Sequence, residues 1–492
     1  MSARRPAAPA RRPARPARRT APTPAREVAL AVLRAVTDRD AYANLLLPAL
    51  LAERGLHGRE AALATELAYG TLRGRGSYDA VLAACSTRAL ADIDPPLLDV
   101  LRLGAHQLLA TRIGPHAAVA TSVALARSEA GAGAAGFANA VLRRVATRDL
   151  DSWIAAVAPD RVVNPVGYLA VKTSHPGWIV AAFSEALGEE PVTGLPLTEA
   201  ALAANNTRPL VTLCAIPGLT DPADLTARGG RAARWSPFGV YLDGGDPAGI
   251  PEVARGRAAV QDEASQLAAL ALARADLGTA GPGTTGSGAT GSGAAEAAGG
   301  GRWLDLCAGP GGKARLLAGL AAGRGARLLA ADVREHRAAL VRGATGPAAA
   351  AVIVADGTRP AWRAGSFGRV IADVPCSGLG ALRRRPDARW RKTPADVVAL
   401  GPLQRSLLRN AINAARPGGV IAYVTCSPHV AESRAVVGEV TAARDDVLVL
   451  DAPALLSEVP DLACPGPGGR YAQFWPHLHG TDAIFLALLR RC

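Results

Sequence analysis

From Trp303 onward, apolar runs recur at Trp303–Leu306, Arg327–Val333, Ala350–Ala355, Val370–Ala372, Val420–Val424, Val447–Leu450 and Ile484–Leu489, with helical stretches between them. Strands that alternate with helices call for a parallel, doubly wound α/β sheet covered on both faces. Ligands of such sheets bind beyond the carboxyl ends of the strands. Three segments follow strands and would project there. They are the glycine-rich turn Asp305-Leu306-Cys307-Ala308-Gly309-Pro310-Gly311-Gly312-Lys313, then Asp373-Val374-Pro375-Cys376-Ser377-Gly378, then Tyr423-Val424-Thr425-Cys426-Ser427.

The turn is not the dinucleotide GxGxxG pattern, and alone it shows only that a ligand can approach bare backbone. Three aspartates add to it: Asp332, Asp356 and Asp373 end the second, third and fourth strands. An acid there can bond ribose hydroxyls, so the set points to a nucleoside pocket. The candidate cofactor residues are Cys307, Ala308, Gly309, Pro310, Gly311, Gly312, Lys313, Asp332, Asp356 and Asp373. Lys313 is one of three lysines among 55 basic residues, which hints that a compact ammonium is wanted, for the cofactor carboxylate or the substrate backbone.

Seven scattered cysteines without a CxxC pair argue against disulfides and against a metal site, and for a reducing cytoplasm. Two of them, Cys376 and Cys426, sit at the same sheet edge as the glycine turn, which suggests covalent chemistry on a nucleobase. Cytosine C5 is a poor nucleophile toward a methyl sulfonium. A thiolate added at C6 makes C5 enamine-like, and a base must later remove the C5 proton so that the thiolate leaves. Asp373, three residues before Cys376, completes the catalytic candidates.

The remaining chain is organised around this domain. At 492 residues, several domains are expected. Residues 1–24 alternate Arg, Pro and Ala and are expected to be a disordered basic tail. Without its seven arginines the net charge falls from +13 to +6, so charge alone only modestly favours a polyanionic partner. Helical periodicity predicts a bundle over 25–147, with Pro95 and Pro96 opening one helix and Gly114-Pro115 preceding another. A small α+β domain is expected over 150–255, with a helix starting near His175-Pro176 and strands near Leu210–Leu213 and Val240–Leu242. His175 is read as a capping or packing residue. The catalytic domain is expected over 256–492, interrupted by a flexible Gly/Ala/Ser/Thr insertion at 278–301. No apolar run of membrane-spanning length occurs, so no membrane partner is expected.

Two resemblances sharpen this reading. The segments Ala64–Arg73, Leu101–Leu109 and Gly136–Arg144 resemble the NusB-like RNA-binding domain. The glycine turn, Asp332, Asp356, Asp373–Gly380, Thr425-Cys426-Ser427, Arg384–Trp390, Gln404, Val260–Ser265 and Gly480-Thr481-Asp482 resemble the RsmB/Sun-type branch of the RNA cytosine-5 methyltransferases. Here Ser433 follows Glu432 where many members carry Asn, and Val374 stands where Ala is common.

The resemblance implies a Rossmann-like class I domain using S-adenosylmethionine, with an antiparallel last strand, behind the NusB-like bundle and the middle domain. It implies Cys426 as nucleophile, Cys376 in proton abstraction or product release, and Asp373 near the cytosine edge. It further implies an enzyme acting on small-subunit (16S) ribosomal RNA and not on DNA, and a monomer in the cytoplasm is expected. Arg383, Arg384, Arg385, Arg389 and Arg391 are expected to position phosphates, and the target base to be unpaired or flipped. Competing readings are a transfer-RNA or large-subunit target, a non-catalytic RNA-binding antitermination factor, and, third, an oxidoreductase disfavoured by the missing GxGxxG.

Overall fold

The computed structural model describes residues 23–278, 301–346, 349–465 and 467–492. The expected tail, save Thr23 and Pro24, and the expected insertion, save Gly278 and Gly301, lie outside them. The chain divides into two compact units, meeting at Val157 and Ala158.

The first unit is helical: Pro24–Arg39, Ala43–Glu53, Gly58–Cys85, Pro95–Ala110, Pro115–Val145 and Leu150–Val157. Prolines open three of these, where their missing N–H costs nothing. Leu67, Leu82, Leu101, Leu103, Leu125 and Leu142 fill the core. Gly104 permits a close helix crossing, since a Cβ there would lie 2.7 Å from Leu142. The polar members of the Leu101–Leu109 segment face inward and are bonded within the unit. Arg102 binds Asp79 and Asp99, His106 Nδ1 meets the Tyr78 hydroxyl at 2.9 Å, and Gln107 accepts from Arg26 at 2.8 Å.

The second unit begins with helices Pro165–Thr173, Gly177–Leu187 and Pro196–Ala204. His175 is buried, its Nδ1 2.8 Å from the Thr173 carbonyl, and is a packing residue. Strands β1 (Val211–Ala215), β2 (Gly230–Ala232), β3 (Gly239–Leu242) and β4 (Ala258–Val260) form an antiparallel sheet in the order β2-β3-β1-β4. Helix Glu263–Arg274 then packs on the larger sheet.

That sheet contains β5 (Arg302–Asp305), β6 (Arg327–Asp332), β7 (Ala349–Val354), β8 (Phe367–Asp373), β9 (Ala415–Thr425), β10 (Val447–Leu450), β11 (Ala472–Gln473) and β12 (Phe485–Arg491). Its order is β10-β12-β9-β8-β5-β6-β7, with β11 paired to β12. Strands β5 to β9 are parallel. As expected, β12 is antiparallel, here to both β9 and β10. Central strands are buried on both faces, which explains the apolar runs Val370–Ala372 and Val420–Val424 within β8 and β9. The carboxyl ends of β5, β6, β7, β8 and β9 lead into the segments that carry Cys307, Asp332, Asp356, Cys376 and Cys426.

Candidate active site

The glycine turn leaves β5 and enters helix Gly312–Ala322 through Gly311, whose φ of +115° lies where L side chains are strained. Gly309 donates its N–H to Asp332 Oδ2 at 3.1 Å, and a Cβ on Gly309 would sit 2.4 Å from that oxygen. Asp332 also accepts from the Arg334 N–H at 2.9 Å and lies 3.5 Å from Arg337 Nε. Asp356 accepts from the backbone and hydroxyl of Thr358 at 2.8 and 2.7 Å, and these bonds hold its carboxyl below the usual range.

Lys313 joins the turn to the cysteine segments. Its ammonium is 2.9 Å from Asp373 Oδ2 and 3.4 Å from Ser265 Oγ. Burial works against its charge, but Asp373 outweighs that and keeps its pKa above the ordinary lysine value. Asp305, only 1 % exposed, lies behind this pair. Burial, then repulsion by Asp373, push its carboxyl up to about 7. Its Oδ1 takes the Cys307 N–H at 3.3 Å, while Oδ2 has no partner among the described residues. Burial beside Asp305 holds the Cys307 thiol well above its usual value, so this third thiol is poorly suited to attack.

Cys376 and Cys426 meet, with their sulfurs 3.4 Å apart. The contact favours one thiolate beside one thiol, and the surroundings decide which is which. Hydrogen bonding from Cys376 lowers the Cys426 thiol below its usual value; burial and Asp373 oppose this, and Lys313 and Arg385 assist it. That contact, then burial and the Glu432 carboxylate, hold Cys376 far above.

A buried second layer fixes the Cys376 segment. Glu432 accepts from the Ser377 N–H at 2.7 Å and from its hydroxyl, and Gln404 Nε2 bridges Glu432 Oε1 at 3.3 Å to the Pro375 carbonyl at 2.9 Å. Ser377 Oγ is also 3.1 Å from Ser427 Oγ. The two segments are joined by main chain: Gly380 donates to the Cys426 carbonyl at 2.8 Å and accepts from the Ala483 N–H at 2.9 Å. Ser433 turns its hydroxyl onto the His429 carbonyl at 2.8 Å, within its own turn.

The arginine cluster is a correction. Arg383 and Arg384 are locked between Asp262 and Asp482, with N···O distances of 2.7 to 3.0 Å. Arg389 is fully buried and bonds the carbonyls of Ser174 and Asn205 and the Asn206 side chain, and Arg391 pairs with Asp387. Of the five, only Arg385 is exposed. Their partners are up to 215 residues away, so a local cluster of charge concealed a tertiary network.

Asp305 and Gln261 lie in segments marked in the sequence, but neither is among the candidate site residues read there. The signal that marks them is burial without a partner: Asp305 Oδ2 and both amide atoms of Gln261 lack one among the described residues.

A parallel sheet with one antiparallel strand placed between β9 and β10, and a glycine turn followed by strand-end acids, defines the S-adenosylmethionine-dependent methyltransferases. Residues 295–490 match the family described as 16S rRNA methyltransferase RsmB/F, and residues 23–147 match the NusB family. A Mycobacterium tuberculosis protein that carries the name methyltransferase is 49 % identical over 469 residues, covering 95 % of this chain and 96 % of that one. The ribosomal RNA small subunit methyltransferase B of Pseudomonas putida is 32 % identical, covering 84 % of this chain and 87 % of its own. The crystal structure of PH0851 shares the fold, with a TM-score of 0.72 at 18 % identity over 96 % of this chain and all of that one. The chain belongs to the RsmB/F methyltransferase family.

S-adenosylmethionine is the cofactor, and the residues present fit it. Unpartnered acceptors and a donor lie buried around the turn, a helix N-terminus follows it, and carboxylates end the next strands. Gly309 to Lys313, Asp332 and Asp356 would hold it, and it supplies an electrophilic methyl group. Among the described residues no helix is long and apolar enough to cross a membrane.

Proposed function

We propose that this methyltransferase modifies C5 of a cytosine in small-subunit ribosomal RNA through a covalent adduct between Cys426 and C6. The observation that carries the reading is the 3.4 Å sulfur pair, with Lys313 and Arg385 favouring charge on Cys426 and Glu432 opposing it on Cys376, an arrangement suited to one nucleophile and one proton carrier. The Pseudomonas putida relative's name and the RsmB/F family description support the ribosomal target.

In this mechanism the Cys426 thiolate adds to C6, and charge moves onto the ring. The sulfur becomes a thioether, so Cys376 loses the anionic neighbour that kept it protonated. Its proton passes to the ring nitrogen, leaving a thiolate. Once C5 carries the methyl group, Cys376 takes the C5 proton, the C6–S bond breaks, and the thiolate returns to Cys426. The ring nitrogen then releases its proton, so one methyl group enters and one proton leaves. Asp373, held by Lys313, faces the base edge.

Incubation with RNA and cofactor tests the roles. Cys376→Ala should accumulate an RNA–protein adduct that survives denaturant, and Cys426→Ala should form none. The reverse pattern would overturn the assignment. Mapping 5-methylcytosine in small-subunit RNA from cells lacking the gene tests the target; an unchanged map would remove it.

A further inference from the structure

Gln261 and Gln266 lie five residues apart where β4 leads into helix Glu263–Arg274, and they meet opposite fates. Gln266 is saturated: its Oε1 accepts from Ser236 Oγ at 2.7 Å, and its Nε2 donates to the carbonyls of Gln261 and Leu213 at 3.0 and 3.3 Å. Gln261 is 7 % exposed, yet neither its Nε2 nor its Oε1 has a partner among the described residues. An unmade hydrogen bond at a buried polar group costs on the order of 1–3 kcal/mol, so two on one amide need a reason.

Its position supplies one. The Gln261 backbone is held on β1 by the Thr212 carbonyl at 2.9 Å. Its amide lies over the first residue of the glycine-turn helix, 3.9 Å from where a Cβ on Gly312 would stand. Ser265, one helical turn on, reaches Lys313. Gln261 thus borders the positive end of an 11-residue helix, a place that favours a carboxylate. A carboxamide presents an NH2 donor group and a carbonyl acceptor side by side on one planar group. A phosphate would use only the donor and leave Oε1 unpaired. An amino-acid zwitterion uses both, its carboxylate taking the amide N–H and its ammonium giving to the amide oxygen.

We infer that Gln261 is a cofactor-positioning residue that binds the α-amino-acid end of S-adenosylmethionine at the start of the glycine-turn helix. Calorimetry with two probes tests this. S-adenosylhomocysteine keeps the amino-acid end, and 5′-methylthioadenosine lacks it. Gln261→Ala should weaken the first by roughly 10- to 100-fold and leave the second unchanged. Gln261→Met keeps the volume and should repeat that selective loss, which separates it from collapse of the pocket. Equal weakening of both probes, or of neither, overturns the inference. Failure of the unmodified protein to bind either probe would instead defeat the glycine turn as the cofactor site, and this inference with it.

Discussion

Two buried charge clusters in the same unit are built on opposite plans. Asp262, Arg383, Arg384 and Asp482 are two acids and two bases whose ion pairs close on one another, with main-chain N–H groups and the Gly480 carbonyl completing the shell. Lys313, Asp373, Asp305 and the two sulfurs are short of such closure. One cation serves several acids, a carboxyl is pushed up to about 7, and an Asp305 oxygen has no partner among the described residues. Removing one member of a closed buried pair costs about 3–5 kcal/mol, because it strands the other charge. A group left electrostatically unsettled keeps a pKa that can be used. The first cluster holds the segments together, and the second is available to a reaction.

The sharpest test of that contrast is Cys426→Ala. It should lower the methylation rate by ~10⁴-fold or more, as loss of a covalent nucleophile does, while thermal unfolding stays near the unmodified value. A large drop in melting temperature would make the sulfur pair structural. Next in size, Asp262→Ala should destabilise the protein by about 3–5 kcal/mol in denaturant titrations. A change below 1 kcal/mol would show the closed cluster to be ornamental. Asp305 gives a pH test. Its folded pKa is raised, so between about 4 and 7 the folded form binds more protons than the unfolded chain. This contribution to stability is present below the unfolded value and is lost as pH rises through about 7. Asp305→Asn should therefore gain stability over the unmodified protein by a few kcal/mol from pH 4 to pH 8. A difference independent of pH would contradict the shift.

Two smaller effects refine the comparison. Lys313→Met removes an ammonium that favours the Cys426 thiolate, so the acidic limb of the kcat/KM profile should move to higher pH. A limb that stays in place would take Lys313 out of the ionisation. Arg385→Ala, the exposed member of its run, should change stability by no more than about 0.5 kcal/mol in thermal melts.

What could be read from sequence followed from locality. The inner parallel strands are buried on both faces and announce themselves as apolar runs, the edge strand β7 is apolar but partly exposed, and each site segment follows a strand end. Where polar residues enter the sheet the pattern failed. Val370–Ala372 is the middle of β8, whose first residues include a buried Arg369 that ties the carbonyls of Leu272 and Ala275. Likewise β9 starts at Ala415, through Pro417, Gly418 and Gly419, residues that read as a turn and that accompany a register shift against β8. The arginine run misled for the same reason, because the acids that hold Arg383 and Arg384 lie about a hundred residues away in sequence. Vacancy is the least legible property: nothing local distinguishes Gln261 from Gln266, and only packing separates the satisfied amide from the open one.

Gly380 shows how narrow the tolerances are. A single methyl at that α-carbon would fall 1.8 Å from the Ala483 carbonyl oxygen and 2.8 Å from that of Cys426. The Cys376 segment, the end of β9 and the start of β12 therefore behave as one seam of main chain. Neighbouring side chains can tune the acidity of either sulfur, while main-chain packing at Gly380 sets the spacing of the segments that carry them. Any residue larger than glycine at position 380 would therefore displace both cysteine segments at once.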